Sequence, residues 1–296
     1  MKFLQKSILN KIYTKRDNWS HKGQYGKLLV IAGNERHTGS AMFVSMAAYR
    51  AGCDLVYLVG PKRAMDVAAN YSPLFITQPL EGKQLEPRHV NDILSMIKEV
   101  RATAVAIGPG LWRKEETWNA IIELVEKIEV PMVIDADAVR ALSKSKEMLF
   151  SKQIVLTPHD NEFLELFGKE LPRDKLSKRI EIVKKEAYGI NFSGSEAREK
   201  SPVTILLKGH VDVITDGTKV KLNNTGSTKM TVGGMGDTLT GICGAYLARG
   251  VDTFTSACAA AFVNGKAGEH AVKKYQEGAI TTDLIKEIPT VIRKGK

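Results

Sequence analysis

The chain has 296 residues, of which 43% are hydrophobic and 26% charged, and these are ordinary values for a globular protein with a self-sufficient core. Its three cysteines are far apart and form no Cys-x-x-Cys or Cys/His cluster, which argues against a disulfide framework and a zinc site. The formal net charge is +10, and no apolar run approaches the ~18 residues that span a bilayer, so we expect a basic protein without a membrane partner.

Residues 1–20 form a basic segment, which we interpret as an N-terminal extension. A basic surface can bind nucleic acid, can steer an anionic small ligand, or can simply be solvated. Neither interleaved aromatic residues nor a helix-turn-helix pattern accompanies this charge, so we expect no nucleic-acid binding. The segment also lacks the apolar stretch of a secretory signal, which predicts a cytoplasmic location.

Beyond residue 20, short apolar runs alternate with helical patterns. The predicted strands are 27–32, 54–59, 104–107, 131–135, 153–156 and 203–207, and the predicted helices are 40–51, 117–128, 161–167 and 237–247. The polar stretch 184–201 shows no periodicity and predicts a loop or an insertion. Continuous apolar strands between helices are typical of a mainly parallel sheet covered on both faces. We therefore predict a single α/β domain over residues 1–296, built as a three-layer αβα sandwich.

Four unusual elements come directly after predicted strands. They are Gly33-Asn34, Gly108-Pro109-Gly110, Thr157-Pro158-His159 and Lys208-Gly209. In sheets of this kind, ligands bind in the crevice beyond the carboxyl ends of the strands. The candidate site is therefore expected along that edge.

The stretch 223–241, NNTGSTKMTVGGMGDTLTG, carries the most chemical information. Gly234 and Gly236 precede Asp237, and an apolar helix follows at once. Glycines let backbone N–H groups turn toward a phosphate, and a helix N-terminus adds partial positive charge. A carboxylate would repel a phosphate, so Asp237 is better explained as the base that takes a proton from an attacking substrate hydroxyl. The alternative is that Asp237 only caps the helix.

Neither common nucleotide-binding motif is present, because the chain has no Walker GK[ST] element and no complete GxGxxG. Six other motifs occur in order: the block HKGQYGKLLVIAGNERHTGSAMFVSMAAYRAG, AIGPGL, VIDADAV, TPHDNEF, LKG and the glycine-rich stretch above. Through these motifs the chain, from about Ser20 onward, resembles the ribokinase-like superfamily. Within it, the chain is similar to the ADP/ATP-dependent NAD(P)H-hydrate dehydratase family. Met235, Lys229 and Ser40 depart from the usual family residues, which bears on nucleotide preference more than on reaction type.

The resemblance implies a ribokinase-like fold and a set of site residues. The adenine nucleotide would bind Lys208, Gly209, His210, Val211, Asp212 and Gly236, and the hydrated nicotinamide nucleotide would contact Ser40, Ala41, Gly110, His159 and Asp237. Asp237 would be the base, with the amides of residues 234–236 stabilising the transferred phosphoryl group. Mg²⁺ would offset the phosphate charge, and Glu162 is a candidate for positioning it. We interpret Asp135 and Asp137 as bonded to nearby backbone rather than catalytic.

The implied activity is dehydration of the S form of NAD(P)H hydrate to NAD(P)H, with ADP or ATP consumed and phosphate and AMP or ADP released. This is a repair reaction of nicotinamide nucleotides, and the resemblance also implies a homo-oligomer, specifically a tetramer. Two alternatives remain open at this point. One is a kinase of the same superfamily that phosphorylates a vitamin precursor or a sugar. The other is a non-catalytic protein that binds a nucleotide or a nucleic acid.

Overall fold

A single ten-stranded sheet runs through the computed structural model, which describes residues 2–150, 152–192 and 203–293. The strands are β1 (Lys2–Phe3), β2 (Lys27–Ile31), β3 (Leu55–Pro61), β4 (Ile76–Leu80), β5 (Ala104–Ile107), β6 (Met132–Ile134), β7 (Ile154–Leu156), β8 (Thr204–Leu207), β9 (Asp212–Thr215) and β10 (Val220–Asn223). Their order across the sheet is β1-β10-β9-β8-β7-β6-β5-β2-β3-β4. Strands β2 to β8 pair in parallel, and β9 is antiparallel to both of its neighbours.

The helices cover both faces of this sheet. They are α1 (Gly39–Arg50), α2 (Lys62–Tyr71), α3 (Val90–Glu99), α4 (Glu115–Lys127), α5 (Ala136–Ala141), α6 (Asp160–Phe167), α7 (Leu176–Phe192), α8 (Met235–Ala248), α9 (Thr253–Tyr275) and α10 (Thr281–Arg293). One hydrophobic core lies under α1, α2, α8, α9 and α10, and a second lies under α3 to α7. The predicted three-layer sandwich with a mainly parallel sheet is confirmed.

Strand β2 shows why a continuous apolar run becomes a central strand. Leu28 and Val30 point into the first core, while Leu29 and Ile31 point into the second, and all four are fully buried. Because successive side chains of a strand alternate between faces, a strand that is buried on both faces needs apolar residues at every position. This arrangement removes residues 28–31 of β2 from solvent.

Helix α8 is buried over most of its length, which explains its small residues. Its fully buried positions include Gly241, where a Cβ atom would collide with the carbonyl oxygen of Val44 in α1. Only glycine permits this approach of the two backbones. The close packing anchors α8 on the sheet and so fixes the position of its first turn.

Two predicted segments, 184–201 and 1–20, have more regular structure than the sequence suggests. The loop or insertion predicted over 184–201 is wrong for its first part, because α7 continues to Phe192, with Val183 and Ala187 buried in the second core. Residues 193–202 lie outside the described residues. The basic extension predicted over 1–20 is not a free tail, since β1 pairs with β10 and Leu9 is buried. No helix in the described ranges is long and apolar enough to cross a membrane.

Candidate active site

The predicted site residues converge at the carboxyl ends of β5 to β8, where the first turn of α8 lies above the sheet. A Cβ atom on Gly236 would lie 3.7 Å from the Lys208 Nζ atom, so the first turn of α8 lies beside the end of the Lys208 side chain. On the other side, a Cβ atom on Gly110 would lie 2.8 Å from the Ser40 Oγ atom, and the Ser40 hydroxyl acts on Asp237 by lowering the pKa of its carboxyl group. Tertiary structure thus brings together side chains from four separate motifs.

The first turn of α8 starts at Gly234, which acts as the N-cap without a side-chain cap. Gly234 has φ +91°, and a Cβ atom there would lie 2.6 Å from the ring of Phe43, so glycine is required on both counts. Asp237 is the third residue of the helix, so the alternative in which it serves only as the N-cap is wrong. The first-turn N–H groups of a helix lack intrahelical acceptors and carry partial positive charge, which favours an anion at this position.

Asp237 has the electrostatic properties of a base that works near neutral pH. Burial and then the negative charge of Asp135 raise the pKa of its carboxyl group from 3.8 to about 7, against the hydrogen bond from Ser40 and the charge of Lys208. A general base is most effective when its pKa lies near the working pH. The carboxylate therefore combines a suitable pKa with a position beside an anion-binding helix terminus.

Lys208 forms the centre of a buried ionic network below Gly236. Its Nζ atom lies 2.8 Å from Asp135 Oδ1 and 3.6 Å from Glu162 Oε2, and Thr240 Oγ1 donates to Asp135 Oδ2 at 2.8 Å. Burial acts to raise the pKa of Asp135, but the Lys208 charge and the hydrogen bonds outweigh burial and lower it. Burial likewise acts to lower the pKa of Lys208, but the two carboxylates outweigh burial and raise it. The ammonium group is therefore charged and fixed beneath the place where a phosphate would lie.

This network corrects the interpretation of Asp135, whose carboxylate is bonded to side chains from β8 and α8 rather than to nearby backbone. Asp137 behaves as expected, since its Oδ2 atom accepts the N–H of Trp112 at 2.9 Å. The sequence places Asp135 at the end of a predicted strand and carries no signal for its partners.

His159 and Glu162 cap helix α6 reciprocally. The N–H of His159 donates to Glu162 Oε2 at 2.9 Å, and the N–H of Glu162 donates to His159 Nδ1 at 3.2 Å. The Glu162 carboxylate is almost fully buried and also faces Lys208 and Arg140 Nη2, the latter at 3.8 Å. Its oxygens are thus surrounded by cations and donors, a setting that favours positioning of Lys208 over ligation of a metal. In the described parts of the chain, no group of three or more His, Cys, Asp or Glu residues could hold a metal ion.

A cavity of about 490 Å³ adjoins this network on the side of β9 and α9. It is lined by Lys208, Gly209, His210, Asp212, Gly236, Asn264, Gly265 and residues 224–228. Gly265 is needed because a Cβ atom there would collide with Thr225, and the N–H of Gly226 donates to Glu269 Oε1 at 3.0 Å. The glycine-rich loop is therefore held against α9, and the cavity has the size of a small-molecule site with a few polar groups in its lining.

Five of the six residues predicted to bind the nucleotide line this cavity. The exception is Val211, which lines a neighbouring cavity of about 620 Å³ together with His159 and Arg179. The Asp212 carboxylate accepts the N–H of Gly209 at 3.0 Å and the Asn223 amide at 2.9 Å. Burial raises the pKa of Asp212 to about 6. These contacts fix the backbone turn between β8 and β9.

The predicted substrate residues lie along the opposite side of Asp237. Gly110 has φ +66°, and its carbonyl oxygen accepts the Asn34 amide at 2.8 Å, so the loops after β2 and β5 hold each other. Asn34 also accepts the N–H groups of Arg36 and His37. Ala41 has no exposed surface, because it packs in the first core, and the structure leaves it no surface for the predicted substrate contact.

Comparison with known proteins agrees with this geometry. The family model of NAD(P)H-hydrate dehydratase matches residues 28–290. A bifunctional NAD(P)H-hydrate repair enzyme of Pyrobaculum aerophilum is 41% identical over 284 residues, which cover 95% of this chain and 53% of that protein. An ADP-dependent (S)-NAD(P)H-hydrate dehydratase of Nitrosopumilus maritimus is 33% identical over 295 residues, covering 99% and 97% of the two chains. This chain thus spans about half the length of the bifunctional relative and nearly all of the second.

Among solved structures, the fold is similar to an ADP/ATP-dependent NAD(P)H-hydrate dehydratase from Bacillus subtilis that was co-crystallised with ATP/Mg²⁺. The TM-score is 0.77 at 23% identity, and the match covers 100% of this chain and 99% of that one. At this identity the likeness establishes the ribokinase-like fold.

Proposed function

The chain belongs to the NAD(P)H-hydrate dehydratase family, and from this premise we propose that it converts the S form of NAD(P)H hydrate to NAD(P)H at the expense of ADP or ATP. One observation carries the proposal. Asp237, with a pKa raised to about 7, lies between an anion-binding helix start with a partly buried lysine and the loops of Ser40 and Gly110. A nucleotide binder without turnover would have no use for a carboxylate in this position.

In the proposed reaction, Asp237 takes the proton of the ring hydroxyl as the hydroxyl oxygen attacks the terminal phosphorus of the nucleotide. The new O–P bond forms while the bond to AMP or ADP breaks. Lys208 and the N–H groups of the first turn of α8 stabilise the negative charge on the transferred group. The ring nitrogen then expels phosphate from the adjacent carbon, and loss of a proton from the next carbon restores the double bond. Phosphate leaves far more readily than hydroxide, which explains the need for a nucleotide.

We propose that Mg²⁺ enters with the nucleotide. Mg²⁺ in such enzymes is commonly held by phosphates and water with only one or two carboxylates. The described residues fit this pattern, since the cavity contains no carboxylate cluster and the Glu162 carboxylate faces cations. When bound, the ion would neutralise phosphate charge that Lys208 alone does not offset.

The deciding experiment incubates the purified protein with NADH hydrate and Mg²⁺, with ADP, ATP or no nucleotide. We expect recovery of the reduced-nicotinamide absorbance only when a nucleotide is present, with one inorganic phosphate released for each NADH formed. A kinase of the same fold would retain the phosphate on its product, so it would release neither inorganic phosphate nor NADH. Absence of NADH with both nucleotides would contradict the proposed function.

Family membership also leads us to propose a cytoplasmic homo-oligomer, specifically a tetramer. Light scattering of the purified protein measures the mass directly. A mass equal to that of the 32.6 kDa chain would exclude the oligomer.

A further inference from the structure

Trp112 lies in the loop after β5, close to Gly110 and Ser40, and does not line the nucleotide cavity. It follows the turn that contains Gly110, whose backbone is bonded to Asn34 and packed on Ser40. The loop after β5 lies three strands away from β8, where the nucleotide cavity begins. At roughly 4.8 Å between strands, this is a separation of about 14 Å along the edge of the sheet. A ligand with its reacting group at Asp237 reaches Trp112 only if it extends away from the nucleotide.

The backbone of Trp112 is held in an unfavourable conformation. Its φ is +87°, which is costly for a bulky side chain. The Asp137 carboxylate holds it there by accepting the Trp112 N–H at 2.9 Å. Strain of this kind persists where surrounding structure imposes it, and it is concentrated at functional sites. The result is a half-buried indole in the loop after β5.

Two cations lie against this indole. The Arg36 guanidinium carbon is 5.3 Å and the Lys114 Nζ atom 4.7 Å from the ring centroid. Across the described ranges, neither side chain takes part in an ion pair or a side-chain hydrogen bond. Three nearby carboxylates, those of Glu35, Asp137 and Glu116, are in contact with Lys83, Arg113 and Gln84, respectively. Two positive charges are thus held beside an aromatic ring, without carboxylate partners, and could receive an anion.

We propose that Trp112, Arg36 and Lys114 form the subsite for the adenosine half of the dinucleotide substrate. The base stacks on the indole, and the phosphate of that half binds the two cations. Aromatic rings bind nucleobases through their faces, and arginine and lysine bind phosphate. The inference rests on the proposed function, because that function places the hydrated nicotinamide ring at Asp237.

The test compares two substrates, NADH hydrate and the hydrate of reduced nicotinamide mononucleotide, which lacks the adenosine half. The variant is Trp112→Gly, because glycine adopts a positive φ without strain and should not unfold the loop. We expect the KM for NADH hydrate to rise about 10-fold, as for the loss of one base stack, while kcat changes less than about 2-fold. The KM for the mononucleotide hydrate should stay unchanged. Trp112→Phe should restore most of the affinity for NADH hydrate.

Trp19→Gly is the matched control, since Trp19 is exposed and the segment that follows it is bonded to Asp54 at the amino end of β3, whereas the site lies at the carboxyl ends of the strands. A second variant, Arg36→Ala with Lys114→Ala, should raise the KM for NADH hydrate and weaken its dependence on salt. An equal rise in KM for both substrates, or no rise for either, would overturn the proposed subsite.

A separate measurement follows the binding of NADH itself by the anisotropy of its fluorescence. We expect weaker NADH binding by Trp112→Gly and unchanged binding by Trp19→Gly. If the wild-type protein turns over neither substrate, the proposed function fails, and this titration still decides the subsite. Equal NADH affinity in wild type and Trp112→Gly would then refute it.

Discussion

Replacing Asp237 by asparagine removes the proposed base and keeps the shape of the side chain. We expect turnover of NADH hydrate to fall by about 10²- to 10⁴-fold, the usual contribution of general base catalysis. Nucleotide affinity should stay the same or improve, because a negative charge beside the phosphates disappears. For the wild-type enzyme, kcat/KM should rise with pH through about 7, as the carboxyl group with this pKa loses its proton.

The same substitution should stabilise the folded protein at high pH. Burial and the charge of Asp135 raise the Asp237 pKa from 3.8 to about 7, so between these values the folded state binds more protons than the unfolded state. The free energy of unfolding therefore falls as pH rises through this window. At 1.36 kcal/mol for each pKa unit, the full effect at pH 8 would be about 4 kcal/mol. Because Asp237 is partly exposed and solvent screens its charge, we expect Asp237→Asn to recover about 1–3 kcal/mol.

Chemical denaturation at about pH 5 and pH 8 measures this effect, with turnover assayed on the same samples. The increase in the free energy of unfolding of Asp237→Asn over the wild type should be larger at the higher pH, where the wild-type carboxyl group is ionised. Asp252→Asn is the matched control, because Asp252 caps α9 by accepting the N–H of Thr255 and asparagine caps about as well. Near wild-type turnover of Asp237→Asn would refute its role as the base. A loss of stability at pH 8 would refute the electrostatic account.

Three further predictions follow from the same geometry. Gly236→Val should fold but lose the thermal shift with ADP or ATP, which in the wild type is worth about 2.7 kcal/mol at a hundredfold excess over Kd; a full shift would place the nucleotide elsewhere. Lys208→Met leaves Asp135 buried without a cation and should cost about 3–5 kcal/mol in chemical denaturation, and adding Asp135→Asn should recover most of it; no recovery would contradict the ion-pair argument. The basic segment 1–20 should show no tight, salt-sensitive binding of DNA or RNA in a fluorescence titration.

The central strands could be predicted from sequence because both of their faces are buried. Residues 28–31 and 104–107 are apolar at every position, and each side chain enters one of the two cores. Glycines with positive φ, such as Gly110, marked the turns that follow. The placement of the site at the carboxyl ends of strands then followed from the rules of parallel sheets.

Elements with weaker patterns could not be predicted in the same way. The hairpin of β9 and β10 carries an Asp216-Gly217 turn, which is the one signal for this hairpin in a stretch without a clear strand pattern. Helix α7 runs into the polar stretch that suggested a loop, because Ile180, Val183 and Ala187 form one buried stripe while the rest of its surface is solvated. Packing of that stripe against the sheet determines the helix, and composition alone does not reveal it.

The ion pair of Lys208 and Asp135 depended on tertiary structure in a stricter sense. The two residues are 73 positions apart, and each follows a strand, but their contact requires the order β8-β7-β6 across the sheet. That order also places the Asp135 charge near Asp237, where it helps to raise the pKa of the proposed base. A GxGD motif places a carboxylate at the start of a helix and does not set its proton affinity. The chemistry of this aspartate therefore arises from strands that the motif does not contain, so removal of the Asp135 charge should lower the pKa of Asp237 even though every residue of the motif is kept.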